Sequence, residues 1–167
     1  LAALGKEVVT FVPTLANPEA ATVAELTATG AINLTCAFRA FNMTSTQSKT
    51  KKYRACSVQG TDVLGRVTHE IEAPVFIDDP QAPNTDVDYK HKSLTPGTTG
   101  WLVRRRGLAA DADNYVEYAA GQLYKAFRVE FGVRNDVAVN AEDDAQEFEY
   151  TQEIAVKGDV FEGIVAA

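Results

Sequence analysis

Apolar and polar residues alternate along most of this chain, which is typical of β-strands that bury one face. The alternation is clearest in four segments, which are residues 32–41, 67–77, 123–133 and 148–158. Shorter candidate strands are residues 7–12, 53–58, 100–105 and 160–167. Turn residues separate these segments, so the pattern predicts a mainly β protein, a sandwich or barrel of about seven or eight strands. Pro74 indicates a sheet edge or a bulge late in its strand.

One short segment carries the signals of a helix start. Asn17 is a favourable N-cap, and Pro18 suits the first helical position. The pattern therefore predicts one short flanking helix over residues 18–28. Residues 108–122 have the composition for another helical turn or two, which Gly121 would end.

Residues 78–100 contain three prolines and show no sustained hydrophobic period. Structureless loops of this length are uncommon in compact domains and are usually functional or disordered. We therefore predict a long inter-strand loop here. The whole chain, 167 residues, is long enough for one compact domain.

The charge balance argues against a general nucleic-acid binder. The formal net charge is −7, with 23 acidic against 16 basic residues, whereas nucleic-acid binders usually show a basic domain or face. A protein whose surface repels DNA is compatible with this negative net charge. Since no apolar run reaches the ~20 residues of a membrane helix, we also expect no membrane span.

The cysteines and histidines offer no recognisable catalytic motif. Cys36 and Cys56 either pair in a disulfide or, as we favour, lie as two small buried hydrophobic residues. His69 shares the apolar face of its strand, which favours a core histidine. His91 lies in the long loop between two lysines, so we expect it to be solvated. Neither histidine is near a Cys or Ser in a nucleophile motif, and we predict no enzyme activity.

Two groups of acids are weighed as metal sites. Within the long loop, the aspartates do not match any standard calcium-loop spacing, and solvated loop acids are the favoured interpretation. They are Asp78, Asp79, Asp86 and Asp88. A second acidic run, residues 142–149, is typical of a solvated turn that leads into a strand. We therefore expect no metal and no cofactor.

Three adjacent arginines are unusual in so acidic a chain. On a strand, Arg104 and Arg106 point one way with Leu102, while Arg105 points the other way with Trp101 and Val103. The three side chains therefore cannot form one patch for DNA. Arginine favours carboxylate partners and aromatic faces, so we expect salt bridges within the subunit or with another copy.

Four stretches in chain order resemble the major tail (tail tube) proteins of long-tailed bacteriophages, particularly those that infect actinobacteria. TVAELTATGAINLTCAF (22–38) resembles the family's short helix and first long strand. SLTPGTTGWLVRRRG (93–107) resembles its most specific signature. AAGQLYKAFRVEFGV (119–133) resembles its turn and following strand, and QEIAVKGDVFEGIVAA (152–167) resembles its closing strand pair with a Gly-Asp turn.

The resemblance implies a structural virion protein. Family members form homohexameric rings that stack into a hollow tail tube, a conduit for viral DNA, which passes without specific binding. The resemblance implies one tail tube domain over residues 1–167, with an N-terminal arm of about 1–16 and the loop of about 78–100 bridging rings. It also implies tape-measure, tail terminator and baseplate partners, and assembly in the host bacterial cytoplasm before the protein resides in the virion.

The resemblance also assigns roles to residues. Lumen-lining candidates are acids on strand faces opposite the core, namely Glu70, Glu72, Glu130, Glu149 and Glu153. Candidates for inter-subunit contacts are Arg104, Arg105, Arg106, Trp101 and Tyr89. An acidic lumen would repel DNA phosphates.

Two other classes of function are open at this point. One is a monomeric β-sandwich binding module that uses the 78–100 loop, where Tyr89 and Trp101 are the nearby aromatic residues. The other is a hydrolase whose two carboxylates lie a set distance apart in a cleft. Monomeric behaviour would favour the module, and a cleft with perturbed carboxylates would favour the hydrolase.

Overall fold

The computed structural model describes residues 2–111 and 113–167, and in this part of the chain the fold is mainly β, as predicted. The described residues contain one α-helix, α1 (Val23–Leu26), and a 3₁₀ segment, Val87–Ser93. They also contain eight strands, which are β1 (Glu7–Val12), β2 (Ile32–Asn33), β3 (Met43–Lys52), β4 (Thr61–Ile71), β5 (Val75–Asp78), β6 (Thr99–Arg106), β7 (Leu123–Asp136) and β8 (Phe148–Ile164).

Six strands form one antiparallel sheet in the order β2-β1-β6-β7-β8-β5. Strands β3 and β4 form a separate two-stranded hairpin. The ladder of β7 with β8 is the longest and runs from the pair Leu123–Ile164 to the pair Asp136–Tyr150. Residues 137–147 connect these two strands and turn back at the far end of the ladder.

The sheet buries apolar side chains on both of its faces. Because neighbouring residues point to opposite faces, Leu102 enters one core and Val103 the other. The larger core is formed by Val9, Phe11, Leu34, Ala37, Ile71, Phe76, Leu94, Leu102, Phe127, Val129, Phe131, Tyr150 and Ile154. The smaller core is formed by Val8, Val12, Leu15, Ala21, Leu26, Val103, Ala110, Tyr118, Tyr124, Ala126 and Val165.

The predicted long strand over residues 32–41 is wrong. Only Ile32–Asn33 pairs with β1, and the chain then turns across the larger core. Leu34 and Phe38 pack there, and Phe41 stacks on Phe127 with ring centroids 5.9 Å apart. These apolar positions recur every three or four residues, so the segment covers the larger core, and it meets the sheet edge only at a single bridge between Phe38 and Phe76 of β5.

The predicted strand over residues 67–77 is two strands. Pro74 lies in the break, and β4 pairs with β3 whereas β5 pairs with β8 at an edge of the sheet. Residues 53–58, also predicted as a strand, form the turn between β3 and β4. Strand β3 itself was not predicted, because its sequence MTSTQSKTKK is polar on both faces.

The predicted Gly-Asp turn near the chain end is also wrong. Residues 148–164 form one continuous strand, and Gly158 lies in it with a φ of +106°. The pairing with β7 shifts between the pairs Phe127–Val160 and Val129–Val156, so Gly158 occupies a bulge. Glycine suits this position because a left-handed backbone is costly for other residues.

The flanking helix is shorter than predicted and starts later. Asn17 caps only a turn, by accepting a hydrogen bond from the Glu19 N–H. The helix begins after Thr22, whose hydroxyl accepts from the Glu25 N–H at 3.2 Å while the Glu25 carboxylate accepts from the Thr22 N–H at 2.9 Å. This reciprocal pair is a capping box, and Leu26 then anchors the helix in the smaller core.

Several described segments differ from the predicted boundaries. Residues 7–12 of the expected N-terminal arm form β1 inside the sheet. The described residues of 108–122 form no helix and cover the smaller core, and Gly121 makes a turn with a φ of +88°. The 78–100 loop begins and ends within strands and contains the 3₁₀ segment. No described helix has the length and apolar character required to cross a membrane.

Both histidine predictions are wrong. His91 is 2% exposed and stacks on Phe76 and Tyr150, and its Nε2 donates to the Ile77 carbonyl at 2.8 Å. His69 is half-buried on the hairpin, with its Nδ1 2.7 Å from the Ser45 hydroxyl. The sequence around His91 is charged, but the ring turns inward, while Lys90 is exposed and Lys92 pairs with Asp78.

The cysteine prediction is wrong as well. Cys36 and Cys56 are both exposed and unpaired. Cys36 lies in the turn that follows β2, and Cys56 lies in the turn of the hairpin. Neither the buried arrangement that we favoured nor a disulfide is therefore present.

The free energy of unfolding is expected to decrease as the pH is lowered below 6.5, the ordinary pKa of histidine, because burial lowers the pKa of His91. The unfolded chain then binds a proton that the folded chain excludes, so the stability present above pH 6.5 is lost at up to about 1.4 kcal/mol per pH unit. Thermal unfolding at about pH 7.5 and about pH 5.5 measures this loss. His91→Phe should reduce the pH dependence, while His69→Gln should retain it; the reverse ranking would contradict the assignment.

Candidate assembly surfaces

Arg105 lies inside the subunit, on the smaller-core face of β6. It is 1% exposed, and its guanidinium donates to the carbonyls of Val116 at 2.6 Å and Glu117 at 3.2 Å. It also donates to the side-chain oxygen of Gln122 at 3.0 Å. Its partners here are neutral oxygens, and it holds residues 116–122 against the sheet. Its predicted role between subunits stays a prediction.

Aromatic rings complete the surroundings of Arg105. Its guanidinium carbon lies 4.9 Å from the ring centre of Tyr118 and 5.6 Å from that of Tyr115. The Tyr118 hydroxyl is 2.9 Å from the Thr10 hydroxyl, and burial raises the pKa of Tyr118 to about 12. These contacts fit the preference of arginine for aromatic faces.

Arg104 and Arg106 share the opposite face, as the alternation predicts, and both pair with Glu7 on β1. Nε of Arg104 is 2.8 Å from one Glu7 oxygen, and Nε of Arg106 is 3.4 Å from the other. Arg104 also lies over the ring of Phe41 at 5.5 Å. The salt bridges expected within the subunit are therefore present for these two arginines.

A shallow groove opens beside these two arginines, where β7 begins and β8 ends. We call it the basic groove; its volume is about 320 Å³. Its lining consists of Arg104, Arg106, Leu123, Tyr124, Lys125, Glu162, Gly163 and Ile164. Leu123 and Ile164 face each other across the ladder and are 70% and 54% exposed. The groove thus combines cations with an apolar floor that is open to solvent.

The two predicted aromatic contacts lie apart from the basic groove. Trp101 is half-buried on the Arg105 face of the sheet, with its ring 5.9 Å from that of Phe161. Tyr89 is half-buried in the 3₁₀ segment, near His91. The structure therefore does not bring the five predicted inter-subunit residues into one surface.

Three of the predicted lumen acids do share a surface, which we call the acidic face. Glu130 on β7 and both Glu149 and Glu153 on β8 point away from the larger core. Glu130 pairs with Lys157, and Glu149 pairs with Arg39. Glu153 is exposed. Glu130 and Glu153 thus lie on a solvent-facing part of the main sheet, whereas the Glu149 side chain is only 11% exposed.

The other two lumen candidates lie elsewhere. Glu70 is exposed on β4, opposite Thr44 of the hairpin. Glu72 follows β4, and its carboxylate accepts from the side-chain amide of Asn42 at 3.3 Å. The sequence prediction did not separate these two from the acidic face, because it treated residues 67–77 as one strand.

The β3–β4 hairpin is the surface that sequence reasoning missed. Its strands are 10 and 11 residues long, and nearly every position on both faces is exposed. The exposed residues include the apolar Val63, Leu64 and Val67. Only its base reaches the larger core, through Met43 and Ile71. Threonine-rich and β-branched composition was the one available signal for β3.

The turn of residues 137–147 is a second exposed and charged surface, which we call the acidic turn. It carries Glu142, Asp143, Asp144 and Glu147, together with Val139, which is 69% exposed. Local hydrogen bonds shape it, including one from the Gln146 side chain to the Ala138 carbonyl. In the described residues, no three His, Cys, Asp or Glu side chains are grouped to hold a metal ion.

Two of the comparisons with known proteins gave matches. A family model described as phage tail tube protein matches residues 1–167. Among solved structures, a chain of the "Cryo-EM structure of the anti-feeding prophage (AFP) baseplate, 6-fold symmetrised" matches with a TM-score of 0.57. The two chains are 12% identical, and the match covers 97% of this chain and 95% of that one. At this identity the likeness shows the fold alone. No curated protein matches significantly.

Replacing Arg105 with lysine is expected to lower the free energy of unfolding by about 2 to 4 kcal/mol, because the buried oxygens lose their planar donor. Arg106→Lys, at an exposed end of the same strand, is the matched control and should change it by less than about 0.5 kcal/mol. Urea unfolding followed by Trp101 fluorescence measures both. Small and equal effects would show that Arg105 does not hold residues 116–122 in place.

Proposed function

We propose that this chain, which belongs to the phage tail tube protein family, self-assembles into hexameric rings that stack into the tail tube of a long-tailed phage. The family match over residues 1–167 supports a structural tail protein. A chain of a 6-fold symmetrised baseplate shares the fold over nearly its whole length, and the number of six copies per ring is proposed by analogy with that assembly.

The exposed β3–β4 hairpin is the observation that carries this proposal. A two-stranded hairpin is marginally stable by itself in water, and long unpaired edges invite pairing with another chain. Here both faces are exposed, and Val63, Leu64 and Val67 lie uncovered. In the tube, neighbouring copies cover the hairpin, which serves as one of the extended elements that bridge copies.

The acidic face lines the lumen in this proposal. Glu130, Glu149 and Glu153 point away from the larger core on adjacent strands, and Glu70 and Glu72 remain further lumen candidates. The chain as a whole is acidic, with a net charge of −7. A negative lumen repels phosphates, so DNA passes through without specific binding.

The predicted inter-subunit residues have two roles in this account. Arg104, Arg106, Trp101 and Tyr89 contact neighbouring copies from the surface. Arg105 supports them from within, because it fixes residues 116–122 behind β6. The protein acts without catalysis, is assembled in the host cytoplasm and resides in the virion. Its further partners are the tape-measure, tail terminator and baseplate proteins.

The packing of the 78–100 loop argues against the alternative function, a monomeric module that binds a ligand with this loop. In the 78–100 loop, His91 and Leu94 are each 2% exposed and lie in the core. The Lys92 ammonium donates to the carbonyls of Asp79 at 2.7 Å and Ala82 at 2.8 Å. These apolar and polar groups of the loop thus pack against or hydrogen-bond to their own chain and are not free to bind a ligand.

The purified protein is expected to form hollow tubes or stacked rings about six subunits round. Light scattering across concentration, with electron microscopy of the same samples, measures this. A strict monomer at every concentration, with and without tube fragments sheared from virions as seeds, would contradict the proposal.

Loss of the hairpin surface should abolish assembly and leave the monomer folded. The variant Val63→Thr/Leu64→Ser/Val67→Thr alters only exposed side chains, so its free energy of unfolding should change by less than about 1.5 kcal/mol. Val133→Thr, an exposed position on β7, is the matched control and should assemble. Normal tubes from the hairpin variant would exclude the hairpin as a contact.

A cysteine at position 153 tests the lumen assignment. In a Cys36→Ser/Cys56→Ser background, Glu153→Cys should react in tubes with a small maleimide and be shielded from a maleimide on a large polymer. In the monomer both reagents should react. Equal reaction of both reagents in tubes would place Glu153 outside, and loss of both would place it in an interface.

A further inference from the structure

The basic groove offers a binding surface that its own chain does not fill. Three cations line it, and two carboxylates lie among them: Glu7 pairs with both arginines, and Glu162 pairs with Lys125 at 3.1 Å. One positive charge therefore remains, in a chain whose net charge is −7. Its floor exposes Leu123 and Ile164, so the groove suits a segment that carries both acids and an apolar side chain.

The acidic turn has that composition. It carries four acids and the exposed Val139. Of these four acids, Glu147 is the only one that forms an ion pair within the described residues, with Arg39 at 3.7 Å. Glu142, Asp143 and Asp144 are thus exposed acids with no cation of their own chain beside them in the described structure.

The two surfaces lie at opposite ends of one ladder. Strand β7 begins at the groove with Leu123 and ends at Asp136, directly before the acidic turn. Its 14 residues span roughly 45 Å at the usual rise of a strand, so the turn cannot reach the groove of its own chain. A contact between them joins two copies.

We propose that the acidic turn of one copy binds in the basic groove of the next, so that copies join head to tail along the β7–β8 ladder. Such a contact uses two different patches and is heterologous, and heterologous contacts generate rings or open-ended stacks rather than closed dimers. The local attraction between opposite charges offsets the repulsion between copies that each carry a net negative charge. This inference rests on the proposed self-assembly and names the residues that carry it.

Charge reversal tests the contact from both sides. The groove variant is Arg106→Glu/Lys125→Glu, and the turn variant is Asp143→Lys/Asp144→Lys. Each should raise the critical concentration for assembly by about tenfold or more, and the variant that combines all four changes should return close to the wild-type value. All four side chains are exposed or at an exposed strand end, and urea unfolding checks that each monomer folds.

The matched control is Glu19→Lys/Asp113→Lys, which changes the net charge as much as the turn variant but lies outside both surfaces and away from Tyr89 and Trp101. It should assemble near the wild-type concentration. If the wild type assembles and the reversals have no effect, or if the combination fails to restore assembly, this inference is wrong while the proposed function stands. If the wild type itself does not assemble under any condition, the proposed function fails.

Discussion

Burial of both faces of one sheet is the constraint on which the rest of the structure depends. Leu102 and Val103 point to opposite cores, so every strand near β6 needs cover on each side. The segment after β2 covers one face with Phe38 and Phe41, and the helix covers the other together with Ala110 and Tyr118. Arg105 holds part of this second covering segment on the sheet, because its buried guanidinium on β6 donates hydrogen bonds to the carbonyls of Val116 and Glu117.

The β3–β4 hairpin lies outside this constraint. Its strands expose both faces, and only its base joins the larger core. The main sheet is thus stabilised within one chain, whereas the hairpin gains little from its own chain. In our account this division reflects two tasks, since one part makes the subunit and the other makes contacts between subunits. The acidic face and the two ends of the β7–β8 ladder supply the remaining surfaces of a repeating assembly.

Alternation in the sequence predicted strands whose two faces differ, but it also predicted a long strand over residues 32–41 that the structure lacks, and it missed a strand whose two faces are alike. Strand β7 was found because Phe127, Val129 and Phe131 alternate with polar residues, whereas β3 is polar on both faces and has no alternation. The sequence prediction placed His91 in solvent. The prediction failed because the ring is buried by tertiary contacts with Phe76 and Tyr150, which are distant in sequence. The faces of the three arginines followed from alternation alone, but their partners needed the fold, since Glu7 is 97 residues from Arg104.

Hydrogen–deuterium exchange, compared between the monomer and assembled tubes, tests most directly the central claim that the hairpin is completed by other copies. Backbone amides of β6, β7 and β8 should exchange slowly in both states, because their ladders are buried within one chain. Amides of residues 43–71 should exchange rapidly in the monomer and become protected in the tube. Protection of the hairpin in the monomer equal to that of the main sheet, with no gain on assembly, would contradict the account.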